Sequence, residues 1–289
     1  MLNNTNKINV FGGTGFIGSK FVDLYRDEVI VNDREDYESQ SNNILYFIST
    51  VDNYNIWNNP QLDIETNLTL LIDVLEKCKK NKDTVFNFIS SWFVYGKTKD
   101  LPAHEDTYCN PTGFYSITKR AAEQLLSSYC ETFGLNYRIL RLCNVYGAQD
   151  KKASAKKNAL QFLVSEVANH QDINLYDRGE NVRDFMHVED VCRAIRLAIK
   201  KLPLNQIINV GSGKPHKMID LMEYVKKQTG SPSAFNFIEA PSFHQIVQIK
   251  NMYLDTSKLQ KLGFSPRISI EEGLDQLIND SLQDGKTNS

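Results

Sequence analysis

A doubly wound α/β fold on a parallel sheet, with a smaller lobe interleaved into its C-terminal half, is what the sequence predicts. Three observations carry that expectation. Short apolar runs alternate with segments of helical periodicity from residue 7 to residue 142, the pattern of parallel strands joined by helical crossovers. A glycine cluster, Gly12-Gly13-Thr14-Gly15-Phe16-Ile17-Gly18, directly follows the first apolar run, Ile8-Asn9-Val10. After Gly147 the texture turns more polar without repeats or a long linker, so the second lobe is woven into the first.

The elements follow in order. Residues 7–11 read as a short buried strand, the glycines as a turn, and Gly18 to Tyr25 as a helix. Val29-Ile30-Val31 is a second strand, closing at Asn32-Asp33-Arg34, and Ile44 to Ser49 is a third. Asp63 to Lys80 has helical periodicity through Leu68, Leu71, Ile72 and Leu75. Val85 to Ile89 is a strand running into Ser90-Ser91. Tyr115 to Phe133 is a long helix stopped by Gly134, and Tyr137 to Leu142 is another strand. Lys151, Lys152, Lys156 and Lys157 sit in a polar loop, read as solvated, with a flap near substrate phosphates as the alternative. Helices are expected from about Asn158 to Asn169, Val188 to Lys200 and near 218–228, and the tail from Asp284 is expected to fray. Residues 1–147 with about 185–202 are assigned to the first domain, and about 148–184 with 203–289 to the smaller lobe.

Composition excludes several classes. With 289 residues, 41% of them hydrophobic, the chain can fill a large α/β core and a lobe. A formal net charge of −2 gives no basic bias toward nucleic acid or an acidic membrane. The five cysteines, 78, 109, 130, 143 and 192, are odd in number and lack C-x-x-C spacing. They read as reduced structural thiols of a cytoplasmic protein. No secretory leader, membrane span or metal site is expected.

Gly12, Gly15 and Gly18 fall on a G-x-x-G-x-x-G spacing between a strand and a helix. Glycine lets the backbone turn tightly and lets a phosphate approach where a Cβ would clash, and the helix start offers free N–H groups to a pyrophosphate. Phe16 and Ile17 complete that dinucleotide cradle. Asp33 stands fifteen residues after Gly18, where a carboxylate accepts hydrogen bonds from ribose hydroxyls and repels a 2′-phosphate, favouring NAD. Arg34 beside it could hold that phosphate, which leaves NADP open. Only residues 34–43 separate Asp33 from Ile44, about 33 Å of extended chain. That suffices for a bare crossover and not for a helix and strand, so one edge strand is expected to be missing and the adenine pocket thinner.

Tyr115 and Lys119 are i, i+4 on one helix face. A nearby ammonium favours the phenolate form of tyrosine, which can exchange a proton with a hydroxyl as hydride leaves or returns. Ser91 at a strand end can hydrogen-bond the same oxygen, and Lys119 can also reach the nicotinamide ribose. Together with the glycine motif, these residues imply a nicotinamide-dependent enzyme acting on an alcohol or ketone.

The chain resembles the extended short-chain dehydrogenase/reductases, in the NAD-dependent epimerase/dehydratase group that modifies nucleotide sugars, similar to UDP-glucose 4-epimerase. The matching stretches are the glycine motif, Asn67, Ser90 to Gly96, Tyr115 to Lys119, Arg141 to Gly147, Arg183 to Asp190, Asp255 to Lys258 and Leu262 to Pro266. The resemblance implies a Rossmann-type fold, a catalytic triad of Ser91, Tyr115 and Lys119, and cofactor contact at Asn67. It implies substrate contacts at Asn144, Asn158 and Arg183, the last to a diphosphate. It gives Asp184 and His187 structural roles, and a homodimer built on helices near 63–80 and 115–133.

Departures from the family pattern narrow the chemistry. Trp92 and Phe93 stand where 4,6-dehydratases carry an acid and a base, and where other members carry a cysteine. Aromatic rings cannot exchange protons with a carbon acid, so elimination and 3,5-epimerisation are disfavoured and hydride transfer at C4 is left. Cys109 and Cys143 read as structural. An Arg-x-Gly-Asp-like segment is replaced by Phe243 to Lys250, where Lys250 or His244 is the substitute for the arginine. Thr50 and Asn53 lie where His-x-Ala-Ala-like sequence is usual and line the substrate pocket differently. Three functions stay open: a nucleotide-sugar 4-epimerase, a 4-ketoreductase acting on a 4-keto-6-deoxy sugar, and a catalytically silent NAD(H)-binding sensor or scaffold.

Overall fold

The computed structural model describes residues 7–51, 53–148 and 158–287, with side chains through 283. The lysines at 151, 152, 156 and 157 lie outside the described residues. A parallel sheet of six strands forms the centre. These are β1 (Ile8–Phe11), β2 (Val29–Val31), β3 (Asn43–Tyr46), β4 (Val85–Ser91), β5 (Asn136–Leu142) and a later strand, Gln206–Val210. Their spatial order is β2-β1-β3-β4-β5 and then that last strand. Side chains alternate across the sheet with the two-residue period of strands. Val10, Ile89, Leu140 and Leu142 face one core; Phe11, Phe88 and Ile139 face the other.

Helices cover both faces. α1 (Phe16–Leu24) lies on the first face, where Phe21 is fully buried. On the second lie α2 (Gln61–Ile64), α3 (Leu70–Cys78) and α4 (Phe114–Phe133). Leu71, Val74 and Leu75 of α3 meet Ala122, Leu126 and Cys130 of α4 there. The helix expected over 63–80 is interrupted by a π turn, Glu65–Thr69, between α2 and α3. Extra turns of this kind cluster at functional sites; this one carries the buried Asn67. α4 ends at Gly134 in the left-handed region, φ 69. Its start is closed by Gly113 N donating to Ser116 Oγ at 3.0 Å.

The third strand ends at Tyr46, three residues earlier than expected, because the chain at Phe47 and Ile48 passes against the glycine turn. β2 is the sheet edge, and among the described residues no strand lies beyond it. The crossover after it is pinned from inside. Asn9 Oδ1 accepts from Gln40 N at 2.7 Å, and the Asn32 amide donates to Asp36 O at 3.0 Å and Glu38 O at 2.8 Å.

The lobe begins with β6 (Asn144–Tyr146), α5 (Ala159–Ala168), β7 (Ile173–Tyr176) and β8 (Val182–His187). α6 (Val188–Lys201) then returns to the first core through Val191, Ala194, Ile195 and Ala198, followed by β9 (Gln206–Val210). The remaining elements are β10 (Pro215–Lys217), α7 (Met218–Thr229), β11 (Phe235–Ile238), α8 (Ser242–Val247), β12 (Asn251–Met252), α9 (Ser257–Lys261) and α10 (Ile270–Thr287). β10, β8 and β12 make a second sheet to which β6 adds on β8, and β11 pairs with β7. α5, α7 and α10 enclose a third core around Leu160, Val164, Met222, Val225 and Leu274.

Strand pairing crosses the expected domain boundaries at two places. Residues 203–210 go with the main sheet, because β9 pairs with β5 and buries Ile208 and Val210. Residues 144–147 and 185–187 go partly with the lobe, because β6 and β8 pair with each other.

Candidate active site

The carboxyl ends of β1, β3, β4 and β5 open into a cleft of ≈ 1580 Å³, lined from Gly12 and Gly15 at one end to Tyr176 and His244 at the other. β1 sits between β2 and β3, so the strand order reverses there, which is where open α/β sheets receive ligands. Gly12 has φ +80, and a Cβ on it would lie 3.0 Å from Ile48 N. A Cβ on Gly18 would lie 2.3 Å from Gly12 O. The turn therefore closes only with glycine at both positions. It aims the first turn of α1, with Gly15, Phe16 and Ile17, into the cleft. That helix start presents N–H groups without intrahelical partners, suited to a diphosphate.

Asp33 and Arg34 are exposed just past the end of β2 and outside the cleft lining. Asn67 is buried in a hydrogen-bond network. Both its amide hydrogens are committed, to Thr50 Oγ1 at 2.8 Å and Thr118 Oγ1 at 2.9 Å. Its carbonyl accepts from Ser49 Oγ at 3.0 Å and Thr50 N at 2.9 Å. Asn67 is outside the cleft lining and ties the segment after β3 to α4.

Ser91, Tyr115 and Lys119 all line the cleft. Ser91 ends β4, and its Oγ accepts from Phe93 N at 3.3 Å, opening the single turn Trp92–Tyr95. Tyr115 and Lys119 lie in the first two turns of α4 and are buried. Lys119 Nζ donates to Ile89 O at 2.6 Å and lies 4.1 Å from the centre of the Phe88 ring. Burial lowers its pKa to about 7, against the opposing charge of Glu123.

One helical turn past Lys119, a buried ion cluster anchors the helix, and sequence reasoning missed it. Glu123 Oε1 accepts from Ser90 Oγ at 2.6 Å and Arg141 Nε at 3.0 Å. Its Oε2 accepts from an Arg141 terminal nitrogen and from Arg120, both at 2.8 Å. Burial works to raise the Glu123 pKa, but Arg141, Ser90 and Arg120 hold it below its ordinary value. The available signal was spacing: Tyr115, Lys119 and Glu123 are i, i+4 and i+8.

The other half of the cleft is aromatic. Trp92 stacks on Phe93 with ring centres 3.9 Å apart, and Phe93 meets Tyr115 edge-on at 5.9 Å. The Arg183 guanidinium lies 5.4 Å from the Trp92 ring centre and donates to Val182 O at 2.8 Å and Lys250 O at 2.7 Å. Thr50 and Asn53 line the cleft, with their side chains engaged. Thr50 Oγ1 donates to buried Asp63, and Asn53 Oδ1 accepts from Ser116 N at 3.4 Å, helping to cap α4. Asn144 and Asn158 line it, Asn144 donating to Asp184 O at 3.0 Å. Asn158 takes φ 50 at the start of α5.

Lys250 is placed apart from the other candidate substrate residues. Its ammonium is exposed, 4.0 Å from the Asp177 carboxylate, and faces a separate groove. Only its carbonyl serves the site, through Arg183. Asp184 is structural, accepting from Ser212 N, Ser212 Oγ and Gly213 N at 2.9, 2.6 and 3.0 Å. His187 caps α6, accepting from Glu189 N at 3.4 Å. Cys109 is half-buried and Cys143 buried, and burial pushes both thiols up.

The profile of the NAD dependent epimerase/dehydratase family matches residues 44–211. A putative UDP-glucose 4-epimerase of Methanocaldococcus jannaschii is 28% identical, across 94% of this chain and 97% of its own length. The crystal structure of Thermotoga maritima UDP-glucose 4-epimerase with UDP-glucose superposes with a TM-score of 0.86 at 25% identity, covering 98% of this chain and 100% of that one. Thermus thermophilus UDP-glucose 4-epimerase in complex with NAD gives 0.82 at 25% identity, covering 96% and 99%. No helix among the described residues is long and apolar enough to cross a membrane.

Proposed function

Because the chain belongs to the NAD dependent epimerase/dehydratase family, we propose that it inverts C4 of a nucleoside-diphosphate hexose with NAD as its cofactor. One observation carries the reading. Ser91, Tyr115 and Lys119 share a cleft with the glycine turn, and the stacked rings of Trp92 and Phe93 occupy the wall between Tyr115 and Arg183. The cleft fits the cofactor, since the cradle closed by Gly12 and Gly18 has no room for a Cβ. Gly15, Phe16 and Ile17 would hold its pyrophosphate, and a carboxylate just past the end of β2, as Asp33 is, disfavours a 2′-phosphate.

When bound, NAD supplies a reversible acceptor for the hydride of C4. Tyr115 takes the proton of the C4 hydroxyl and later returns it; Ser91 steadies that oxygen. Lys119, buried and poised near neutrality, lends the field that favours the phenolate. Trp92 and Phe93 offer the hexose ring flat apolar faces and no proton-exchanging group, so the 4-ketose is not diverted into elimination and can turn over between the two hydride steps. Arg183 receives the diphosphate.

The test is incubation with UDP-, dTDP-, CDP- and GDP-hexoses and catalytic NAD+, read by NMR. A C4 epimer without net NADH establishes the epimerase. Unchanged hexoses together with NAD(P)H oxidation by 4-keto-6-deoxy sugars would establish the reductase instead. Inertness in both assays would leave a silent binder.

A homodimer completes the proposal. Ile64 on α2 and Ile117 and Leu125 on α4 are exposed apolar residues on adjoining helices, the composition of a helix-pairing face. Light scattering giving twice the 33.1 kDa chain mass supports it; the chain mass itself refutes it.

A further inference from the structure

Of the cleft's described residues, only Lys119, Arg183 and His244 can carry positive charge. Lys119 is committed to Ile89 O beneath the catalytic tyrosine. Among the described residues, Arg183 alone therefore faces a ligand whose diphosphate bears two negative charges, unless His244 joins it.

His244 is built to do so. It projects from α8, in the segment that crosses from the lobe toward the catalytic side of the cleft. One ring nitrogen, Nδ1, is 3.0 Å from Tyr54 OH. The ring packs at 4.9 Å on Tyr176 of β7. Tyr54 in turn meets Phe243 edge-on at 5.2 Å, so the imidazole is held from both sides of the cleft. Among the described residues, Nε2 has no hydrogen-bond partner.

We propose that His244 is the second diphosphate ligand of this site and takes up a proton when the nucleotide sugar binds. The proposal rests on the nucleotide-sugar reading above and adds a proton-linked affinity to it. Four titratable or charged groups face the ring from the elements packed on it: Arg183 of β8, Asp177, Tyr54 and Tyr176. In the free cleft, burial and then the Arg183 charge hold the imidazole below its ordinary value, while Asp177 opposes them. The free ring is therefore neutral at neutral pH. An arriving diphosphate reverses that balance, because two negative charges favour imidazolium and give Nε2–H an acceptor. The Tyr54 hydroxyl, both donor and acceptor, can stay bonded to Nδ1 in either state.

Linkage sets the sign. A site that gains a proton on binding loses affinity as pH rises, by up to about tenfold per pH unit between the free and bound pKa values. UDP-glucose and dTDP-glucose are suitable probes, since their diphosphate diesters do not titrate near neutrality. Calorimetric titration of the NAD-loaded enzyme from about pH 6 to pH 8, in two buffers of different ionisation enthalpy, reads affinity and proton uptake together. The expected wild-type result is uptake approaching one proton and a Kd that rises with pH. His244→Gln abolishes the uptake, flattens the pH profile and weakens binding about tenfold at the acid end. His244→Arg restores affinity without uptake, separating a charge role from a packing role. Binding of wild type and His244→Gln with the same Kd and the same uptake would overturn the histidine proposal while leaving the nucleotide-sugar reading intact. Failure of both probes to bind, with no hexose converted in the NMR panel, would refute that reading and this proposal with it.

Discussion

Glu123→Gln tests whether the ion cluster beneath Lys119 holds α4 in place. Glu123 and Arg141 are each 1% exposed, and Glu123 accepts from four donors, two on each oxygen. Glutamine keeps the shape, but its amide nitrogen must face two of those donors and the buried Arg141 guanidinium loses its counter-charge. Breaking a buried pair from one side costs about 3–5 kcal/mol, which for a chain of this size lowers the melting temperature by about 10 °C. Differential scanning calorimetry and urea unfolding measure it. Because the Glu123 pKa is held low in the fold, the wild-type advantage is full above the ordinary carboxylate range and disappears as pH falls below it. Replacing both partners, Glu123→Leu with Arg141→Met, should recover much of the loss, since no charge is then left buried alone. A Glu123→Gln melting temperature within about 2 °C of wild type at pH 7 would refute the reasoning.

Three further outcomes are expected. Tyr115→Phe should lower the rate of C4 inversion by about 10²–10⁴-fold with the Kd for nucleotide sugar unchanged, as separated by steady-state kinetics and calorimetry. Gly18→Ala puts a Cβ 2.3 Å from Gly12 O, so NAD retention after gel filtration, followed by its absorbance, should fall sharply while far-ultraviolet dichroism persists. Lys119→Met should abolish turnover yet raise the melting temperature near pH 7. The folded protein holds the lysine pKa at about 7 against an ordinary value of 10.5, so the unfolded chain binds the extra proton over that interval. The gain is present below about pH 7 and shrinks as pH rises toward 10, which melting curves across pH would show.

What could be read in the linear chain was whatever depends on local spacing. The strand–glycine–helix succession, the i, i+4 pair of Tyr115 and Lys119, and the short crossover after Asp33 each express a backbone constraint a few residues long. Each has its counterpart in α1, in α4 and in the edge position of β2. The surroundings of Asn67 and Lys250 were not legible, because they are set by distant segments. Thr50 and Thr118 consume the Asn67 amide, and Asp177 draws the Lys250 ammonium out of the cleft. Glu123 found its partner in Arg141, eighteen residues away on a neighbouring element. β9 returned to the main sheet after the lobe had begun. The sequence alone determined the fold class, the glycine turn after β1 and the pairing of Tyr115 with Lys119 on one helix face, because those follow from neighbours along the chain. Only the tertiary structure decided which polar groups remain free to meet a ligand. A side chain's hydrogen bonds are shared out among whatever folding packs around it, and one already satisfied inside the protein has none to offer.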